Sequence, residues 1–223
     1  MGYTKTIVCL ANSIRMCGRC VAGKEYISGN FGGWVRPVSS RSNAEISEEE
    51  RHYNNGKEIN VLDIVTIPMN EPRPQSFQTE NHLIDPEYYW EKEDTLPWNQ
   101  LENALDHDKP TLWVNGYESS IGINNRIPQS LADQITSSLM LIRPKNLEVV
   151  VSAGWESKRR VDANFHYRDQ TYRLNVTDPI IKRDYLAREN GRYEIPDAYV
   201  CVSVAGEPFD GFHYKLVAAI ITP

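Results

Sequence analysis

Two groups of basic and aromatic residues have the composition of a surface that binds nucleic acid. On such surfaces cations follow the phosphates and aromatic ring faces stack on the bases, each stack contributing about 1–3 kcal/mol. The N-terminal group consists of Arg15, Arg19, Lys24, Trp34, Arg36 and Arg41. The C-terminal group consists of Lys158, Arg159, Arg160, His166, Arg168, Tyr172 and Arg173.

Each group also has a purely structural interpretation. Trp34 and Arg36 are two positions apart on an expected strand and therefore share a face, which favours a functional surface. In the alternative, Trp34 belongs to the core, Arg36 is solvated, and a bulge at Pro37 separates them. In the C-terminal group, the face that carries Phe165 and Tyr167 suits the core of a barrel, with the basic face simply solvated.

The Cys17-Gly18-Arg19-Cys20 motif could donate two thiolates to Zn²⁺. It could also act as a redox dithiol, because the neighbouring Arg15 and Arg19 favour thiolate. A structural zinc site needs four ligands, however, and the sequence has no second C-x-x-C or C-x-x-H pair. The helix start that a thioredoxin-like motif requires is also missing. We expect plain structural cysteines and no cofactor.

A metal-dependent nuclease is the enzyme class that the sequence most nearly fits. Glu156-Ser157-Lys158 is an E-x-K motif, and with Asp133 it imitates the layout of such a site. The acidic residues would have to meet at strand ends to share Mg²⁺, whereas Asp133 falls in an expected helical turn. E-x-K is common, so chance is the better explanation and we lean towards a protein without catalytic residues.

The charge of the chain limits its partners. The 223 residues include 24 Lys/Arg and 30 Asp/Glu, and the formal charge of −6 excludes a histone-like protein. Binding to nucleic acid would depend on local patches and should be modest and sensitive to salt. No apolar run approaches the ~20 residues that span a bilayer. The first residues also lack the apolar region of a signal peptide, so we expect no membrane association and a cytoplasmic protein.

Short strands punctuated by Gly and Pro dominate the pattern and predict a mainly β fold. The C-terminal third has about five expected strands and a helix over Asp178–Arg188, which fits a five-stranded Greek-key barrel of the OB type. The N-terminal segment has about four strands and could form a second barrel. A short helix is expected from Ser130 to Ser138, and a helical turn over Tyr88–Asp94. We therefore predict two small OB-like barrels joined by a loop-rich, partly helical segment. The first, with a long irregular insertion, would cover residues 1–129 and the second residues 130–223.

Several short motifs resemble a group of bacterial proteins described as carrying a dual OB-fold domain. They are Gly32–Ser39 (GGWVRPVS), Leu62–Pro68 (LDIVTIP), Gln78–Asn81 (QTEN), Cys201–Phe209 (CVSVAGEPF) and Tyr214–Ala218 (YKLVA). The resemblance implies two OB-like barrels and, by analogy of fold, binding of nucleic acid or nucleotides. It carries over no catalytic residues, since a fold alone does not fix a function.

These observations predict a non-catalytic module that binds DNA or RNA, preferring single-stranded or structurally unusual nucleic acid. The alternative is a sensor of a nucleotide-like ligand or an adaptor that binds a protein partner through the acidic segment 87–108. The third hypothesis is the metal-dependent nuclease with Glu156 and Lys158.

Overall fold

The computed structural model describes residues 2–154 and 158–223. Contacts between residues divide the chain into two units, Met1–Ala104 and Leu105–Pro223. Each unit has its own apolar core and its own sheet. None of the helices in the described ranges has the length and hydrophobicity needed to cross a bilayer.

Unit 1 is a closed five-stranded barrel with one added strand. Its strands are β1 (Tyr3–Arg15), β2 (Gly18–Ile27), β3 (Asn30–Val38), β4 (Asp63–Pro72), β5 (Asn81–Ile84) and β6 (Glu91–Thr95). The strand order is β1-β2-β3-β5-β4, and β4 pairs back onto β1. The β3–β5 pair is parallel, while the other pairs in this barrel are antiparallel. This is the OB arrangement, and β6 extends it along β4.

The expected helical turn over Tyr88–Asp94 is wrong. Trp90 is fully buried in the core of unit 1, and Glu91–Thr95 form the exposed strand β6. A short 3-10 helix at Glu49–Arg51 lies between β3 and β4, and a second at Trp98–Ala104 follows β6. Regular secondary structure in unit 1 therefore consists mainly of β-strands.

Unit 2 repeats the same topology with an added helix. Its elements are β7 (Arg126–Pro128), a 3-10 helix (Gln129–Gln134), β8 (Leu139–Ile142), β9 (Lys145–Ala153), β10 (Arg159–Tyr167), β11 (Gln170–Val176), α1 (Pro179–Leu186), β12 (Gly191–Ile195), β13 (Tyr199–Val204) and β14 (Phe212–Ile221). The sheet order is β12-β9-β10-β11-β14-β13-β8, and β11 pairs parallel with β14. Strands β8 and β9 together occupy the place of the first OB strand, so this unit is a second OB barrel.

The helix of unit 2 lies where the sequence predicts it. The Asp178 carboxylate caps α1 by accepting hydrogen bonds from the backbone N–H groups of Ile180 and Ile181. Its second oxygen accepts from the N–H of Ile220 on β14, so the cap also fastens the helix to the barrel. Pro179 opens the helix, at a position where its missing N–H costs nothing.

The division between the units precedes the expected boundary at 129/130. Asp106 exchanges hydrogen bonds with Leu141 of β8 through its backbone N–H and its carboxylate. Leu112 is fully buried in the core of unit 2, and β7 pairs with β14. Residues 105–129 therefore belong with the second barrel, because their backbone and apolar groups are satisfied there.

Candidate nucleic-acid interface

Four residues of strands β2 and β3 form an aromatic surface with a cation beneath it. The Nζ atom of Lys24 lies 5.4 Å from the centre of the Trp34 ring system. Next to this pair, the rings of Tyr26 and Phe31 are 5.1 Å apart. All three aromatic residues are partly exposed. We call Lys24, Tyr26, Phe31 and Trp34 the stacking platform.

A β-bulge brings these residues to one side of the sheet. Lys24 pairs with Trp34 and Tyr26 pairs with Phe31, so two steps along β2 correspond to three along β3. Residues three apart on a regular strand point to opposite faces, and the extra residue of a bulge reverses this. Gly32 and Gly33 occupy the bulge. A Cβ on Gly32 would lie 3.2 Å from the Cβ of Glu25, whereas one on Gly33 would have no atom within 4 Å.

Strands β2 and β3 are the second and third strands of their barrel. That face, with the adjoining β1–β2 and β4–β5 loops, is where OB barrels bind oligonucleotides and oligosaccharides. Tyr26 and Phe31 were missed in the sequence because they sit beside the Gly-Gly bulge. The Phe-Gly-Gly-Trp spacing is the signal that could have revealed them.

Two arginines lie near the β1–β2 turn, at one end of strand β2. Arg15 pairs with Gly18 and Arg19 with Ile14 across the hairpin, and both are partly exposed. Among the described residues neither forms an ion pair with a carboxylate. Both therefore carry charge that a phosphate could use. Arg41 differs, because its Nε donates to Glu45.

Two residues of the predicted N-terminal group are not surface cations. Arg36 is 2% exposed, and its guanidinium forms an ion pair of 3.4 Å with Glu80. Its backbone N–H also donates to the carbonyl of Glu80. Lys24 is buried beneath the Trp34 indole. Arg36 therefore joins β3 to the β4–β5 loop, and Lys24 supports the ring rather than contacting phosphate.

Tyr172 was predicted to contact bases, but the structure places it in the core of unit 2. It is fully buried and stacks on Phe165 with ring centres 5.6 Å apart. Its hydroxyl accepts hydrogen bonds from the backbone N–H of Leu112 and the Nδ2 of Asn115. Burial raises the pKa of this hydroxyl. The residue is unavailable to a ligand on the surface.

The basic run at 158–160 does not form one patch. The Arg159 guanidinium donates to the carbonyls of Leu186 and Arg188 and to the side chain of Asn190, so it fastens the end of α1. Arg160 pairs instead with Asp162 on its own strand. Lys158 is exposed. Neighbouring residues of a strand point to opposite faces, which explains the separation.

The remaining cations of the β10–β11 hairpin are distributed in two places. Arg173 donates to the second oxygen of Asp162, so this fully buried carboxylate accepts from two guanidinium groups. At the turn, Arg168 donates to the carbonyl of His107, and His166 is exposed. The hairpin therefore combines one charge-paired cluster, on the outer face, with a separate group at its tip.

A cavity of about 630 Å³, which sequence patterns do not reveal, adjoins this charge-paired cluster. Arg126, Arg160, Phe209 and Lys215 are among the residues that line it. Lys215 is 1% exposed, and burial lowers the pKa of its amine to about 7. Its Nζ donates to the carbonyl of Val114 and to the Oδ1 of Asn115.

Among the residues that the structure describes, the groups with the chemistry of a metal or redox centre are the two cysteines of the C-x-x-C motif and one Glu-His-Glu cluster. Cys17 is exposed, Cys20 is partly buried and neither forms a disulfide. Glu48, His52 and Glu58 could each offer a ligand atom to one point, but Glu58 already pairs with Arg51 at 2.9 Å. Glu156 of the nuclease hypothesis lies outside the described residues, and Asp133 belongs to the 3-10 helix after β7.

The comparison with protein families agrees with the topology of both barrels. Residues 5–220 match the family described as the dual OB-containing domain. No curated protein and no solved structure gives a significant match. The family match covers nearly the whole chain and includes both units. The chain therefore belongs to the family of proteins with a dual OB-containing domain.

Proposed function

We propose that the protein is a non-catalytic module that binds single-stranded or structurally unusual nucleic acid through unit 1. The observation that carries this proposal is the stacking platform on strands β2 and β3, with the Lys24 amine 5.4 Å from the Trp34 ring. Membership of a dual OB-containing family supports it, because that face is the ligand face of OB barrels.

The platform has the chemistry that unpaired bases need. Every base has a π face, so stacking on Trp34, Tyr26 or Phe31 tolerates any sequence. In a duplex these faces are already stacked on one another, and the platform would have to disrupt them. Arg15 and Arg19, near the β1–β2 turn, supply positive charge for the phosphates. The expected preference is therefore for single strands.

Electrostatics limits the affinity. The chain carries a formal charge of −6, so only the local field near Arg15 and Arg19 attracts a polyanion. Fields between exposed charges fall off over about 8–10 Å at physiological salt. Binding should accordingly be measurable at low salt and weaken steeply as salt increases.

The test is titration of fluorescent 12-nucleotide DNA and RNA strands, and of a duplex, at two salt concentrations. Trp34→Ala should weaken single-strand binding roughly tenfold, the loss expected for one stacked base. Trp98→Ala is the matched control, since Trp98 is also partly exposed in unit 1 and lies outside the platform. Absence of salt-dependent binding to every strand would refute the proposal.

A protein adaptor is the second candidate, and exposed tyrosines favour it. Tyr88 and Tyr89 are 62% and 63% exposed, and with Glu87 and Glu91 they line a second cavity of about 330 Å³. This surface lies in the segment 87–108, and its acidic and aromatic character suits a basic peptide. Capture of a partner that is lost in Tyr88→Ser/Tyr89→Ser, together with failed oligonucleotide binding, would favour the adaptor.

A further inference from the structure

The cavity of unit 2 lies on the face that corresponds to the ligand face of an OB barrel. Strands β10 and β11 are the second and third strands of this barrel, and Arg160 and Asn175 from them line the cavity. Phe209, from the loop between the last two barrel strands, lines it as well. The volume of about 630 Å³ falls within the range of about 300–1,000 Å³ typical of small-molecule sites.

The cavity wall is positively charged. The guanidinium groups of Arg126 and Arg160 line it, and the described lining residues include no carboxylate. The nearby Asp162 is shared between Arg160 and Arg173, so one negative charge faces two guanidinium groups. In a chain of net charge −6, this is a local excess of positive charge that would attract an anion.

Arg126 is held in position without a carboxylate. Its guanidinium carbon lies 3.9 Å from the centre of the Phe212 ring, and the residue pairs with Tyr214 across strands β7 and β14. Within residues 2–154 and 158–223 it forms no ion pair, and its Nε atom is buried without a hydrogen-bond partner. A planar guanidinium fixed on a ring is well suited to a phosphate, which accepts two parallel hydrogen bonds.

A hydrogen-bonded segment next to Arg126 forms part of the cavity wall. Asn125 accepts a hydrogen bond from the N–H of Ser119 and donates one to its hydroxyl, while its carbonyl accepts from the N–H of Lys215. The Lys215 amine donates to the carbonyl of Val114 and to Asn115, and it lies 5.5 Å from the centre of the buried Tyr172 ring. Lys215 therefore supports the cavity wall from the side of the core.

An aromatic ring lies at the same cavity. Phe209 is 73% exposed, and its ring centre is 6.4 Å from that of Tyr214. A large apolar side chain on a polar loop has no packing role at that exposure, but it can cover a base. Asn175, another lining residue, donates to the carbonyl of Val161, and its Oδ1 accepts no hydrogen bond from the described residues. Groups that can bind a phosphate, stack on a base and form a hydrogen bond with the edge of a base thus occur at the same cavity.

We propose that this cavity binds a nucleoside phosphate, with the phosphate at Arg126 and Arg160 and the base against Phe209. The nucleoside phosphate comes either from the end of a nucleic-acid strand or from a free nucleotide. The first source rests on the proposed function and extends it to the recognition of a terminal phosphate by unit 2.

The experiment measures the affinity of the full chain for both ligands, a phosphorylated strand end and a free nucleotide. Internally labelled 12-nucleotide strands carry a 5′-phosphate, a 3′-phosphate or hydroxyl groups at both ends. Calorimetry follows AMP, with inorganic phosphate as the reference. We expect one phosphorylated end, or AMP, to bind roughly tenfold to a hundredfold tighter than its unphosphorylated or base-free counterpart, the range for charge-assisted hydrogen bonds.

Variants locate the effect. Arg126→Gln should remove the preference, because it deletes the charge and the paired donors. Arg183→Gln is the matched control, since Arg183 is an exposed arginine of α1 that does not line the cavity. Phe209→Ser should weaken AMP binding and leave inorganic phosphate unchanged. The Phe209→Ser variant should fold normally, because this side chain is exposed and not part of the core.

The outcomes separate this inference from the function proposed for unit 1. A terminal-phosphate preference that depends on Arg126 supports the strand end, and AMP binding alone supports a free nucleotide. The inference is overturned if Arg126→Gln and Phe209→Ser change neither measurement, or if no phosphorylated strand end is preferred and AMP binds no better than inorganic phosphate. Binding of oligonucleotides that requires Trp34 would in that case still support the function proposed for unit 1. Conversely, AMP binding without any strand binding would refute only the proposal for unit 1.

Discussion

The Arg36 guanidinium and the Glu80 carboxylate form a buried ion pair of 3.4 Å between strand β3 and the β4–β5 loop. Both residues are at most 6% exposed. The pair therefore connects the strand that carries Trp34 to a loop on the same end of unit 1. Its role is structural, which separates it from the neighbouring platform.

We expect Arg36→Gln to destabilise unit 1 without changing its intrinsic affinity for nucleic acid. Removal of one partner leaves a buried charge uncompensated, which typically costs about 3–5 kcal/mol. Urea denaturation should show this loss of unfolding free energy, while oligonucleotide titration of the folded protein gives an unchanged dissociation constant. A weaker affinity with unchanged stability would show that Arg36 contacts the ligand.

The buried amine of Lys215 should make stability depend on pH. Burial lowers its pKa from 10.5 to about 7. Between these values the unfolded chain binds a proton that the folded protein lacks, so the unfolding free energy should increase as pH increases from 7 towards 10.5. Arg126 and Arg160 share the cavity wall and stay charged in this range, so they do not contribute to the slope.

The comparison with Lys215→Met isolates this effect. Between pH 7 and 9 the wild-type protein should gain roughly 2 kcal/mol of unfolding free energy relative to the variant. Denaturant unfolding at intervals of half a pH unit measures both curves, and other titrating groups cancel in the difference. Parallel curves would mean that the amine keeps an ordinary pKa in the folded state.

Arg15 and Arg19 should account for part of the salt dependence of binding. Each phosphate neutralised on a single strand contributes about 0.7 to the slope of log K against log salt. The double variant Arg15→Gln/Arg19→Gln should therefore lower the slope by roughly 1.4. Arg41→Gln serves as the control because Arg41 already pairs with Glu45. Equal slopes for all three proteins would place the phosphates elsewhere.

The cysteines should differ sharply in reactivity. Cys17 is exposed at the β1–β2 turn, Cys20 is partly buried, and Cys9 and Cys201 are buried. Burial also raises the pKa of the Cys9 thiol, with the Asp63 carboxylate as a second cause, so little reactive thiolate forms there. Alkylation at pH 8, followed by mass spectrometry, should modify Cys17 first and leave Cys9 intact until the protein is unfolded. Early labelling of Cys9 would contradict the buried position of β1.

Strand patterns in the sequence, together with the resemblance to a dual OB-fold family, were enough to predict the two barrels. Runs such as Lys5–Ala11 and Arg160–Tyr167 alternate or concentrate apolar residues in the way that barrel strands require, and the Asp178-Pro179 pair marks the start of α1. The family match over residues 5–220 and the observed strand orders confirm the mainly β fold with OB barrels.

The parts that the sequence did not reveal depend on contacts between distant residues. Every residue of β6 is exposed, so Glu91–Thr95 have no apolar periodicity and are ordered by pairing with β4. Arg36 does share the strand with Trp34, but Glu80 from a later loop buries it. The face of Phe31 depends on a bulge, because one extra residue reverses the direction of a side chain, and only the Phe-Gly-Gly-Trp spacing marks that bulge in the sequence.

The attachment of residues 105–129 to the second barrel determines how the chain can be cut. A fragment that begins at residue 130 would lack Val114 and Asn115, and the Lys215 amine would lose both of its acceptors inside the barrel wall. It would also lose Leu112 from the core and β7 from the sheet. A division of the chain between Ala104 and Leu105 instead keeps each barrel together with the residues that it contacts.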